Sequence, residues 1–209
     1  MKKNAWISAV ALLAASSAAH AQLGVKAGFN AAVLNGSRID ADTKYKTSYH
    51  AGVFYESELL GPLSIQPELQ YSLQGTTFKS ALADYKANLH YLHLPVLAKV
   101  RLGGFFAEAG PQFGVLLKAR EEGRMATGAL NEDGSPQYAD ASRGAWGNYK
   151  KADVSLCVGA GFKLLAGLSV GARFVAGLND INDAKTVTGV NDARLKNRMF
   201  QGYAAFQLP

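Results

Sequence analysis

The chain has 209 residues, a formal charge of +6, 48% hydrophobic residues and one cysteine. A lone cysteine excludes an internal disulfide and a multi-cysteine zinc site. The mild basic excess is scattered, without a block of like charges, which excludes a nucleic-acid-binding tail.

The N-terminus reads as an export signal. Lys2 and Lys3 precede the apolar run Ala5–Ala15 (AWISAVALLAA), and Ala19-His20-Ala21 gives the small-x-small pattern of a signal-peptidase site. A spanning helix would need about 20 apolar residues, more than this run offers. Residues 1–21 are therefore expected to be a cleaved signal peptide, with residues 22–209 forming one domain. The residue directly after the cleavage point is Gln22 and not a cysteine, which argues against a lipoprotein. No later stretch resembles a transmembrane helix, so a membrane-embedded chain would have to be a β-barrel.

Alternating segments then follow one another: Leu23–Ala31, Tyr49–Glu58, Leu63–Gln74, Tyr91–Leu102, Phe105–Lys118, Ala152–Leu165, Leu168–Leu178 and Phe200–Leu208. The clearest is LSIQPELQYSLQ, with Leu63, Ile65, Pro67, Leu69, Tyr71 and Leu73 on one face. Ser64, Gln66, Glu68, Gln70, Ser72 and Gln74 lie on the other. Soluble strands average about 5–6 residues, whereas a strand crossing a bilayer needs about 9–11. These segments have the membrane length.

The connections alternate short and long. Tight links at Leu59–Pro62, Gly103-Gly104 and Ala166-Gly167 interleave with polar stretches at Val33–Ser48, Gly75–Asn88, Ala119–Ala152 and Asn179–Met199. An up-and-down barrel would gather the tight turns at its periplasmic rim and the long loops at its outer rim.

No Asp, Glu, Lys or Arg falls on the apolar faces in this register. The opposite faces hold Lys26, Glu56, Glu58, Glu68, Lys99, Arg101, Glu108, Lys118, Asp153, Lys163 and Arg173. Near-balanced charge suits a narrow lumen, where a buried ion must be paired. Those faces also carry Gly24, Gly28, Gly52, Gly110, Gly114, Gly159, Gly161, Gly171 and Gly177, which would make room for long side chains crossing the interior. The expected fold is all-β, an eight-stranded antiparallel up-and-down transmembrane β-barrel with a polar, side-chain-filled lumen. The expected internal charge network is Lys26, Glu56, Glu68, Lys99, Arg101, Glu108, Asp153, Lys163 and Arg173. Three prolines, Pro67, Pro95 and Pro111, fall inside strands and call for bulges or local breaks in the ladder.

A secreted lipocalin-like barrel would turn the oily face inward around a small apolar ligand. Its Gly-x-Trp signature is matched at Gly144-Ala145-Trp146, but within the longest connection and not before the first strand.

The segments GVKAGFN (Gly24–Asn30), QPELQYSLQG (Gln66–Gly75), YLHLPVLAKV (Tyr91–Val100), AEAGPQFGVLL (Ala107–Leu117), VGAGFKL (Val158–Leu164) and ARFVAGLNDIND (Ala172–Asp183) resemble the PorT-like family of Gram-negative outer-membrane β-barrel proteins. The resemblance covers most of the chain outside the loops and includes the three prolines. The final strand departs from an aromatic terminus, with Phe206 followed by Gln207, Leu208 and Pro209. The resemblance implies an outer-membrane location, contact with outer-membrane lipid, insertion by the barrel assembly machinery, and an accessory role in envelope assembly or protein secretion beside another envelope protein. It carries over no catalytic residue.

The residues themselves point to no catalytic group, no metal site and no cofactor. His90 and His93, three apart on a strand, face opposite sides and cannot share a metal. His93 is expected to bond a lumen carboxylate such as Glu68 or Glu108. His50, read as lying at the outer rim, leaves open the alternative of an enzyme modifying envelope lipid. Asn179–Asp183 lacks the ligand ladder of a calcium loop. The longest connection, Lys118–Lys150, carries Tyr138, Trp146 and Tyr149, the expected contacts for a partner outside the cell.

Overall fold

The computed structural model describes residues 21–37, 42–79, 83–131, 133–144, 150–165, 167–179 and 194–208. Most of the expected signal peptide lies outside these residues. The strands are β1 (Ala21–Ser37), β2 (Asp42–Leu60), β3 (Leu63–Lys79), β4 (Ala83–Leu102), β5 (Phe105–Leu130), β6 (Pro136–Gly144), β7 (Ala152–Lys163), β8 (Leu168–Gly177) and β9 (Arg194–Gln207). Neighbours pair antiparallel in the order β4-β3-β2-β1-β9-β8-β7-β5, and a β4–β5 ladder closes the ring. The barrel therefore has eight strands. β6 adds to the outer half of β5 as a hairpin arm.

The tight turns share one rim, at Gly61 (φ 55°), Gly103 (φ 64°) and Gly167 (φ 80°). These left-handed conformations cost a residue with a Cβ and suit glycine. Both ends of the barrel chain meet at that rim, where the Leu208 amide donates to the Leu23 carbonyl at 2.8 Å.

The alternation faces the way a membrane requires. Leu63, Ile65 and Leu69 are exposed on the outside, while Ser64, Gln66, Glu68, Gln70, Ser72 and Gln74 are buried in the lumen. Leu92, Leu94, Phe113, Leu156, Val158, Phe200 and Phe206 continue the outer belt. With the oily face outward, the lipocalin-like reading fails.

Two expectations need correction. Much of the polar stretches at Val33–Ser48, Gly75–Asn88 and Ala119–Ala152 is ladder and not loop. β1 runs to Ser37, β3 to Lys79, and β5 covers 26 residues. Beyond the bilayer both faces of a strand are wet, so alternation lapses while backbone pairing continues. Lys118 also does not face the lumen. The β4–β5 register passes from Tyr91↔Leu116 to His90↔Lys118, a bulge with Leu117 as the extra residue. Past it Leu117 and Lys118 are both exposed, and the inward positions become Ala119 and Glu121.

The prolines interrupt the ladder without shifting it. Paired positions are missing between Phe54↔Glu68 and Ser57↔Ile65, where Pro67 would face Tyr55. The same occurs between Pro67↔Val96 and Gln70↔His93, where Pro95 would face Glu68. A third gap lies between Pro95↔Gln112 and Ala98↔Ala109, where Pro111 would face Val96. Each proline keeps its register with the strand on its other side, so the wall stays closed.

Candidate functional site

The lumen is filled by layered side chains that alternate strand by strand. At its centre Glu68 accepts from the Lys26 ammonium at 2.6 Å and from two guanidinium nitrogens of Arg173 at 3.1 and 2.9 Å. Arg173 reaches across to Glu108 through its Nε at 2.9 Å, and the Tyr203 hydroxyl donates to the same carboxylate at 2.9 Å. Arg173 is 2% exposed and Glu68 3%, so two cations face two anions with almost no water.

Toward the tight-turn rim lies a second set. Lys99 donates to Glu56 at 3.0 Å and Arg101 stands 3.5 Å from Glu56. Arg101 also pairs with Glu58, which is half exposed. Ser64 and Gln207 complete the Glu56 carboxylate at 2.9 and 3.1 Å. Gln66 joins the two sets: its amide nitrogen donates to Glu68 at 2.7 Å and its oxygen accepts from Lys99 at 3.1 Å. Aromatic rings seal them, with Lys26 4.1 Å from the Tyr203 ring centre and Lys99 4.3 Å from that of Phe106.

Of the expected network, Lys26, Glu56, Glu68, Lys99, Arg101, Glu108 and Arg173 are brought together. Asp153 is buried elsewhere, beside Ser155 at 3.0 Å. Lys163 is exposed at the tight-turn rim and joins no ion pair among the described residues. Gln66 and Tyr203 are members that the charge pattern omits, although both stand at inward positions of alternating strands.

The lumen glycines face the large side chains in register. Gly24 opposes Phe54, Gly28 opposes His50, Gly114 opposes His93, Gly161 opposes Phe106 and Gly171 opposes Tyr203. A Cβ on Gly161 would stand 2.4 Å from Phe106 Cζ, and one on Gly171 2.6 Å from the Tyr203 ring. Each ring thus occupies the space left by the glycine of the neighbouring strand.

The histidines sit differently from the expectation. His50 is eight residues inside β2 and 1% exposed, with Nδ1 2.7 Å from Asn30 Oδ1. It therefore lies in the lumen, away from the rim and from lipid. His93 bonds neither Glu68 nor Glu108; the amides of Gln74 and Gln112 flank its ring nitrogens at 2.7 and 3.2 Å. The Tyr71 hydroxyl holds His90 at 2.6 Å on the outer face. Among the described residues no group of three His, Cys, Asp or Glu is placed to hold a metal ion.

Two apolar clusters complete the filling: Phe54, Phe106, Tyr203 and Ala205 at one level, and Leu97, Cys157, Val175 and Met199 at another. Cys157 is 0% exposed and its thiol donates to Gln112 Oε1 at 3.4 Å. A water-soluble maleimide should leave it unmodified in the folded barrel and label it fully after unfolding in hot detergent. Rapid labelling of the folded protein would mean that water passes through the lumen.

A closed antiparallel ladder is how strands satisfy their backbone in lipid, and the apolar exterior is what faces the hydrocarbon. The model of the outer membrane protein beta-barrel domain family matches residues 14–183. The chain belongs to this family. As an outer-membrane barrel, it is similar in fold to Ail, the attachment invasion locus protein of Yersinia pestis. The TM-score is 0.51 at 12% identity, over 90% of this chain and 99% of Ail. Neisserial surface protein A aligns at 9% identity with a TM-score of 0.47, covering 89% of this chain and 97% of that one. OprG of Pseudomonas aeruginosa aligns at 9% identity with a TM-score of 0.46, covering 90% and 96%. No curated protein sequence matches the chain. The family and fold place this barrel in the outer membrane.

Proposed function

We propose that this outer-membrane barrel is a PorT-like interaction protein, an accessory of envelope assembly or secretion that works through its outer arm. The observation that carries this is the contrast between lumen and arm. The described lumen is packed with buried, paired ions, whereas β5 continues for 26 residues and returns as β6. A tilted membrane strand needs only about 9–11 residues, so more than half of β5 stands beyond the bilayer.

The arm is built to hold its shape. In its turn the Gly134 amide donates to the Asn131 carbonyl at 2.9 Å, and Asn131 Nδ2 donates to Ser135 Oγ at 2.9 Å. The Ser135 amide and hydroxyl both donate to Asp133, at 2.9 and 2.6 Å. These bonds hold the Asp133 carboxyl below its ordinary range. The backbone of Tyr138 lies in β6, which puts this residue on the arm. Trp146 and Tyr149 lie outside the described residues. Insertion by the barrel assembly machinery, with β9 as its contact, belongs to the same reading.

A photo-crosslinking residue at the exposed Ala139 should capture one discrete envelope protein in cells. Replacing residues 125–140 by a short Gly-Ser turn should abolish that function while the barrel still assembles and still shows a heat-dependent gel shift. No crosslinked species, together with normal function of the shortened protein, would sink the proposal.

A further inference from the structure

Just past the apolar belt, the outer face of β4 and β5 turns basic. On the membrane side these strands show Leu92, Leu94, Phe113, Val115 and Leu117 outward, all exposed. Beyond them Lys118 stands opposite His90, Arg120 opposite Asn88, and Lys86 opposite Glu122. Lys86, Lys118 and Arg120 are exposed. On the far flank of β5, the Lys151 carbonyl accepts from the Leu116 amide at 2.7 Å. That bond brings exposed Lys150 and Lys151 to the same height. Among the described residues, exposed Glu122 is interleaved with these cations, 3.7 Å from Arg120.

The bulge at Leu117 creates the collar. Without the extra residue Lys118 would continue the inward series Gln112, Gly114, Leu116, and Arg120 would follow it into the lumen. With it both charges stand outside, where the apolar belt ends. This is the end of the barrel that carries the long connections, which in outer-membrane barrels faces outward.

We propose that this collar binds the phosphate groups of a phosphorylated glycolipid in the outer leaflet. Its acyl chains would lie along Leu92, Leu94, Phe113 and Val115, and its phosphates would reach Lys118, Arg120 and Lys86. Basic residues at a membrane interface attract anionic headgroups, and a guanidinium can grip phosphate through two parallel bonds. The collar lies on the barrel wall, so such binding stands whether or not the arm has a partner.

The purified full barrel in neutral detergent would be titrated with bisphosphorylated lipid A, with the same lipid stripped of phosphate, and with inorganic phosphate. The bisphosphorylated lipid should bind most tightly, and salt should weaken it. The double variant K118A/R120A should bind it roughly thirtyfold more weakly, having lost two interfacial charges, with its heat-dependent gel shift intact. E122Q, which removes the competing acid, should bind more tightly than the parent. Equal binding of the stripped lipid would overturn the proposal, as would unchanged affinity in K118A/R120A. Inorganic phosphate binding as tightly as the lipid would make this a free-anion site and overturn the lipid assignment.

Discussion

Glu68→Gln should destabilise the barrel by roughly 3–5 kcal/mol, the range for removing one partner from a buried ion pair. Glu68 carries Lys26 on one side and Arg173 on the other, and all three are buried. The substitution keeps the shape but removes a negative charge, so Lys26 and Arg173 are left sharing Glu108 in a buried site. Lys26→Met alone leaves the opposite excess and should also destabilise. The double variant restores one cation against one anion, Arg173 with Glu108 at 2.8 Å. It should therefore lose less than the two single losses added together. Urea unfolding of the detergent-folded barrel, followed by the gel-shifted fraction, measures all three. A Glu68→Gln loss below about 1 kcal/mol, the value of an exposed pair, would mean that water reaches the network.

The wall was legible in the sequence because alternation is a two-state code. Once Leu63–Gln74 reads as one oily and one wet face, only the direction of the oily face remains. The charge balance of Lys26, Glu68, Glu108 and Arg173 points those side chains inward. The bulge at Leu117 escapes that reading. One inserted residue reverses the parity of everything beyond it and leaves no mark in composition, so Lys118 falls on the wrong side. The arm escapes for a different reason. Outside the bilayer water solvates both faces of β5 and β6, and nothing selects for alternation. Within the lumen, which residues are charged was readable but their partners were not. Partners depend on stagger around the closed ring, which brings Arg173 of β8 to Glu68 of β3, 105 residues apart in sequence. His93 shows the same limit: its neighbours are Gln74 and Gln112, and no local pattern distinguishes those amides from the carboxylates of Glu68 and Glu108. The three prolines could be flagged from sequence, but only the register shows each spending its missing N–H in a gap of the ladder.

Leu69, the next residue along β3, provides the second large effect and the opposite test. It is 47% exposed on the outer belt, between Pro67 and Tyr71 on the same face. Leu69→Arg puts a charge against hydrocarbon and should cost roughly 2–4 kcal/mol, as for basic residues near the bilayer midplane of a barrel. Leu69→Phe should be neutral or slightly stabilising, because lipid chains move aside for a larger apolar group. If Leu69 pointed into a packed protein core, the added volume would instead cost about 1–3 kcal/mol. The pair of substitutions thus distinguishes lipid from core, since both environments reject arginine but only a core rejects phenylalanine. Unfolding of each variant from lipid vesicles measures the two effects on one scale. A costly Leu69→Phe would contradict the outward face of β3 and, with it, the inward placement of Glu68 one residue away.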